Sequence, residues 1–181
     1  MGDSMSSMVL SGDTSGTVTV TVPAVAGTNT ATLPAATGTV MVSGNMPAFS
    51  AYQSSAQTSS SSTNLKILFQ TKEFDTATCF DTSLSRFTPT VAGYYQISAS
   101  INMVTSVATW QQCKLYKNGS FFKQSFAPSS SSNIDIAGFS GLVYANGTTD
   151  YFEIYGIVGS GQNTGASQSV TWFAASMVRA A

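Results

Sequence analysis

Residues 69–97 read FQTKEFDTATCFDTSLSRFTPTVAGYYQI. Phe80, Phe87 and Tyr95 are rings large enough to fill the space between two packed sheets. Gly93 suits a place where a Cβ would obstruct a neighbouring chain or where φ must be positive. Asp75 and Asp81 flank a tight connection, where short carboxylates cap backbone N–H groups. Just beyond, Tyr95, Ile97, Ala99, Ile101 and Met103 alternate with Gln96, Ser98, Ser100 and Asn102. That period of two predicts a strand with one buried face.

Strand signals recur on both sides of this run. Leu65–Gln70 is apolar and β-prone, and a last strand is predicted at Val170–Val178, where Phe173, Ala175 and Met177 alternate with Trp172, Ala174 and Ser176. Asn118-Gly119 separates Cys113–Lys117 from Ser120–Phe126, and Asn146-Gly147 separates Leu142–Tyr144 from Tyr151–Ile157. Both pairs predict β-hairpins, because Asn and Gly tolerate positive φ in a tight turn. Ser54–Asn64 and Ser129–Ser132 read as exposed loops too short to divide domains. No amphipathic helix emerges. Many short strands joined by Gly/Asn/Ser turns predict an all-β antiparallel sandwich or jelly roll.

Composition narrows function. The 181 residues hold 7 Lys+Arg, 8 Asp+Glu, no His and two Cys, against 29 Ser and 23 Thr. Catalysis by Ser-His-Asp or Cys-His and zinc ligation by His are therefore excluded within the chain. A net charge of -1 without Lys/Arg clusters gives no field for phosphate neutralisation, so no nucleic-acid partner is expected. No apolar run approaches the ~18 residues of a membrane span, and the N-terminus lacks the basic flank and apolar core of a signal peptide. Cys79 and Cys113 read as two small buried hydrophobes without a bridge. Gly159-Ser160-Gly161 lacks the Lys of a phosphate loop. Asp150/Glu153 and Glu73/Asp75 show no sign of converging on a cleft as a glycosidase pair must. The chain is expected not to be an enzyme, with no catalytic residue, cofactor or metal.

The first 45 residues have a different texture, with no aromatic ring and only Asp3 and Asp13 charged. Thr17–Val22 alternates strictly and puts Val18, Val20 and Val22 on one face; a further extended piece ends at Leu33-Pro34, and Thr39–Val42 supplies another, with Val40 and Val42. Strands this short and small-sided cannot build an independent core. Residues 1–45 are thus expected to be an arm that docks elsewhere through its valines, and residues 46–181 a head.

The run Phe69, Asp75, Phe80, Phe87, Gly93, Tyr95 resembles the signature of the complement C1q-like globular head, one of the tumour necrosis factor-like jelly rolls. Ala48-Phe49-Ser50-Ala51, Leu115-Tyr116-Lys117-Asn118-Gly119 and the closing Trp172–Val178 follow the same family order, over about residues 47–179. Ile97 and Ala99 depart from it where the family continues with aromatics. The resemblance implies a jelly roll that assembles as a homotrimer around an aromatic and small-residue face. Tyr94/Tyr95, Phe121/Phe122 and Tyr151/Phe152 place an aromatic on both faces of a strand. Tyr94, Phe121, Phe122, Tyr151 and Tyr155 are the expected interface residues. Some relatives hold calcium, but Glu73, Asp75 and Asp81 lack a regular ligand spacing.

The segment from Ser11 to Asn45 resembles one that recurs at the N-termini of tailed-bacteriophage virion proteins. Together the two resemblances imply a trimeric virion surface protein, assembled in the host cytoplasm, with arm attached to the particle and head exposed. Without a stalk between arm and head, capsid decoration or a head fibre is favoured over a tail tip that binds host surface glycans.

Overall fold

The computed structural model describes residues 7–25, 27–32, 35, 37–38, 40–60, 64–104, 111–127, 135–157 and 161–181. The chain divides into two compact units, Met1–Gly38 and Thr39–Ala181. The division falls earlier than the sequence places it because Met41 packs against the head core. Asn45 ties this approach together: its Nδ2 donates to the Val40 carbonyl (3.1 Å) and its Oδ1 accepts the Val42 N–H (2.7 Å). Val40 and Val42, expected in the arm, therefore belong to the second unit, and both are exposed. No strand forms at residues 40–42; a 3-10 turn follows at Ser43–Asn45.

Within the first unit, residues 7–21 form a hairpin. Strand β1 (Ser7–Ser11) pairs antiparallel with β2 (Thr17–Thr21), the expected strand, in the register Met8↔Val20 and Leu10↔Val18. Gly16, at φ 81°, turns the chain, and the Gly12 N–H donates to its carbonyl (3.0 Å).

The second unit contains β3 (Ala48–Tyr52), β4 (Asn64–Lys66), β5 (Thr71–Asp75), β6 (Phe80–Asp81), β7 (Arg86–Phe87) and β8 (Gly93–Val104). They are followed by β9 (Gln111–Lys117), β10 (Ser120–Ala127), β11 (Asp135–Ala145), β12 (Phe152–Ile157), β13 (Asn163–Thr164) and β14 (Trp172–Ala180). One sheet runs β11-β8-β14-β3-β5, with β13 continuing beside β8; the other runs β10-β9-β12-β7-β6, with β4 beside β12. Every pairing is antiparallel. The all-β sandwich expected from the alternation is what forms.

Alternation places the core. Tyr95, Ile97, Ala99, Ile101 and Met103 of β8 are all buried, as are Phe173, Ala175 and Met177 of β14. From the other sheet come Phe80, Phe87, Cys113, Leu115, Phe152 and Ile154. Phe49 stacks on Phe80 at 4.5 Å and meets Phe173 edge-on at 5.0 Å, and Phe69 lies 5.6 Å from Phe173. Both cysteines are free and buried.

The signature residues do what their chemistry suggests. Asp75 accepts the Cys79 N–H through Oδ1 (2.9 Å) and the Phe80 N–H through Oδ2 (3.1 Å). Asp81 Oδ1 accepts the N–H groups of Ser83 (2.8 Å) and Leu84 (3.1 Å). A Cβ on Gly93 would stand 2.4 Å from the Arg179 carbonyl oxygen, so β14 can cross only a glycine here.

The two Asn-Gly pairs differ. Asn118 (φ 53°) and Gly119 (φ 76°) make the expected hairpin between β9 and β10. The hairpin expected at Asn146-Gly147 does not exist, because β11 pairs with β8 in one sheet and β12 with β9 in the other. Asn146 has no positive φ. Its Oδ1 instead accepts the N–H groups of Thr148, Thr149 and Asp150 (2.9–3.0 Å), shaping a crossover between sheets.

Other boundaries shift for local reasons. Only Asn64–Lys66 of the apolar run near Leu65–Gln70 is a strand; Ile67 and Phe69 turn inward without a ladder of their own. Ser59, expected in an exposed loop, is buried, and the adjacent Thr58 bridges to Asn163. Trp172–Ala180 replaces Val170–Val178, since Val170 and Thr171 form a turn on Ser167. The Ser129–Ser132 loop and most of Gly159–Gly161 lie outside the described residues.

Candidate functional site

Two layers leave two outer faces, and their chemistry differs. On the β11-β8-β14-β3 sheet, register sets residues side by side. Gly138, Ser100, Trp172 and Tyr52 form one row; Ser140, Ser98, Ala174 and Ser50 the next; Leu142, Gln96, Ser176 and Ala48 the third. Tyr144 lies opposite Tyr94, which lies opposite Arg179, at one end. These three rows carry no charged side chain, and apart from Trp172, Tyr52, Leu142 and Gln96 their side chains are small.

Its rim carries exposed apolar groups, Ile136, Leu142, Tyr144 and Tyr94, with Tyr94 edge-on to Tyr144 at 5.6 Å, and the exposed Arg179 beside Tyr94. Glu73, a carboxylate on the border of the inner rows, is already engaged by the Ser50 hydroxyl and the Gln168 amide. Small polar side chains that satisfy one another, such as Gln96 Nε2 donating to Ser140 Oγ (2.9 Å), cost little to cover. Such a face can be buried against another protein surface.

The outer face of the other sheet is charged and aromatic. Tyr116 stacks on Tyr155 at 4.0 Å, with Phe121 edge-on to Tyr116 at 6.1 Å. Lys66 Nζ lies 2.6 Å from Glu153, Lys114 Nζ donates to Asn64 Oδ1 (2.6 Å), and Asn64 Nδ2 donates to the Tyr116 hydroxyl (3.1 Å). Burial, and then the Glu153 carboxylate beside it, push the Tyr155 phenol above its ordinary range. Burial holds the Lys114 ammonium below its own.

The five expected interface residues are therefore not one patch. Tyr94 lies on the small-residue face; Phe121 and Tyr155 share the opposite face. Tyr151 sits at one end of the sandwich under the Arg86 guanidinium, 4.4 Å from its ring centre. For Tyr94/Tyr95 and Tyr151/Phe152 one ring is buried and the other is not, as expected. Phe121 and Phe122 are both exposed, because the ladder with β9 shifts register between Phe121 and Lys123. Tyr144 and Tyr116, which complete the two aromatic groups, were absent from the expectation. The alternation Ile136, Gly138, Ser140, Leu142, Tyr144 carried the signal for the first.

Among the described residues the acids Asp75, Asp150 and Glu153 are engaged by neighbouring groups rather than gathered together. Glu153 is paired with Lys66, and Asp150 with Lys117 (2.8 Å) and the Asn118 amide (2.8 Å). Among the described residues no three acidic, Cys or His side chains come together in a way that could hold a metal.

No family model matches the chain, and no curated protein matches it in sequence. In fold, the chain is similar to murine APRIL, with a TM-score of 0.61 at 8% identity over 74% of this chain and 99% of that one. It is also similar to the globular domain of zebrafish complement 1qA protein, with a TM-score of 0.57 at 14% identity over 75% and 99%. Eiger TNF from S. frugiperda gives 0.55 at 8% identity over 75% and 93%. The head has the jelly-roll fold shared by tumour necrosis factor-like and C1q globular domains. At these identities the likeness is one of fold.

Proposed function

We propose that this chain is a non-enzymatic, homotrimeric structural protein of a bacteriophage virion. Its N-terminal arm attaches it to the particle, and its jelly-roll head is displayed outward as a capsid decoration or head-fibre protein. The observation that carries the trimer is the uncharged, small-residue face of the β11-β8-β14-β3 sheet with its exposed rim of Tyr94, Tyr144, Leu142 and Ile136. The lack of charge along its three rows and the aromatic rings of Trp172, Tyr52, Tyr94 and Tyr144 at their margins are features of protein interfaces. Attachment through the arm rests on its resemblance to the arms of bacteriophage virion proteins and on a two-stranded ribbon whose outer edges are open to main-chain pairing.

Light scattering of the purified full-length chain tests the trimer: 3 × 18.8 = 56.4 kDa is expected, and a mass near 18.8 kDa would remove the interface assignment. Antibody labelling of purified phage particles tests the placement, with label on the head expected. A second reading, a tail tip that binds host surface glycans, draws on the exposed Tyr116/Tyr155/Phe121 group, since sugar rings stack on aromatic side chains. Label on the tail together with glycan-array binding would favour it.

A further inference from the structure

The β1–β2 ribbon has two chemically distinct sides. In its register Met8 lies opposite Val20 and Leu10 opposite Val18, so these four aliphatic side chains share one face. Ser7, Ser11, Thr17, Thr19 and Thr21 occupy the other, with Val9 among them. All four residues of the aliphatic face are more than half exposed: Met8 55%, Leu10 52%, Val18 65% and Val20 53%. An isolated two-stranded hairpin is marginal in water, and these four side chains stand open to solvent.

We infer that the aliphatic face of this ribbon packs against the same face of the ribbons from the other two copies of the chain, forming a common apolar base. The inference rests on the homotrimer proposed above. Three features favour a second copy over a foreign surface. The face is aliphatic and uncharged, so a second copy of it meets no unpaired polar or charged group. The described part of the ribbon carries a single charge, Asp13, in the turn beyond the strands, so threefold symmetry brings no like charges into the face.

The third feature is size. Four half-exposed aliphatic side chains make a patch of roughly a few hundred Å², well short of the roughly 800 Å² per partner that holds free proteins together. A foreign partner binding this face alone would gain too little. Three copies tethered to one trimeric head meet at an effective concentration on the order of millimolar, where so small a contact suffices. The Ser/Thr side and the open strand edges remain free for attachment by main-chain pairing.

The experiment uses the full chain with one added thiol, which stands alone because Cys79 and Cys113 are buried. Val20→Cys places it on the aliphatic face and Thr19→Cys on the polar face of the same strand; Leu10→Cys gives a second aliphatic position. Each variant is oxidised under mild conditions after its circular dichroism and mass are matched to the parent. The expected result is disulfide-linked pairs of chains within the trimer for Val20→Cys and Leu10→Cys, at least tenfold faster than for Thr19→Cys. A trimeric mass with equal or absent cross-linking at the three positions overturns the inference and leaves the face for another protein. A monomeric mass overturns it as well, and the head trimer with it.

Discussion

The ring of Phe87, from β7, meets the ring of Tyr95, from β8, edge-on at 5.5 Å, and so joins the two sheets across the core. Phe87 also lies 4.8 Å from Phe49 and 6.1 Å from Phe152, all at zero exposure. The Tyr95 hydroxyl, at the far end of its ring, donates to the Val91 carbonyl (2.7 Å), so the ring cannot swing to fill a void. Phe87→Ala should therefore leave an uncollapsed cavity and cost about 3–5 kcal/mol. Urea unfolding of the two proteins checks it. A loss below about 1 kcal/mol would show that the core relaxes around the missing ring.

Gly147 and Gly161 share a positive φ, 74° and 73°, but have different surroundings. A Cβ on Gly147 would stand 2.3 Å from the Ala92 nitrogen, whereas nothing lies within 4 Å of one on Gly161. Left-handed backbone alone costs an L-residue about 1–2 kcal/mol. Gly161→Ala should show that penalty and no more. Gly147→Ala should cost clearly more, because the crossover strand must move off Val91 and Ala92. Equal unfolding midpoints for the two variants would refute the steric account.

These residues also mark what was legible in the sequence. Which side chains of β8 and β14 face inward follows from a period of two, a property of the strand itself, and so the core could be read directly. Whether the runs flanking an Asn-Gly pair bond to each other depends on tertiary context. Asn118 adopts positive φ and makes a hairpin, while Asn146 spends its side chain on three N–H groups and sends the chain to the other sheet. The register shift after Phe121, which exposes Phe122 as well, and the β1 partner of Thr17–Thr21 likewise depend on pairing. The interface candidates were scattered for the same reason: a face is defined by register across four strands.

Asp75 is the acid whose loss should be visible in a pH titration. Burial raises its carboxyl, but hydrogen bonds from the Cys79 and Phe80 N–H groups and the Cys79 thiol, with Lys72 beyond, outweigh this and hold it below 3.8. A carboxyl depressed on folding adds stability that is complete above its unfolded pKa and is lost as pH falls through its folded pKa. Asp75→Asn should therefore be less stable than the parent at pH 6, with the gap narrowing as pH falls below 3.8. A gap independent of pH between 6 and 2.5 would remove the charge from the explanation.

The two thiols should be inert in the folded protein. Burial, and then the Asp75 carboxylate that accepts from its thiol (3.3 Å), push Cys79 up to about 12, and burial alone does the same for Cys113. Since the thiolate is the reacting form, both should resist an aromatic disulfide reagent at pH 8 and react together once the protein is unfolded. Rapid modification of either thiol in native buffer would mean that the sandwich opens locally around it.

The strongest test of the small-residue face is a charge at its centre. Ser98 lies between Ser140 and Ala174, its hydroxyl 3.4 Å from that of Ser140, and the carboxylate bordering its row, Glu73, is already engaged by Ser50 and Gln168. In a monomer Ser98→Arg would point into water at little cost, because the side chain leaves the outer surface of the sheet. In a trimer built on this face it would bury guanidinium groups without partners, a penalty of several kcal/mol per ion. The variant should fold with the parent's circular dichroism yet scatter as a monomer of 18.8 kDa. Thr148→Arg, on the exposed crossover, should leave the trimeric mass intact. A trimeric Ser98→Arg protein would move the interface off this sheet, and the charged, aromatic face with Tyr116 and Tyr155 would then be the surface to test.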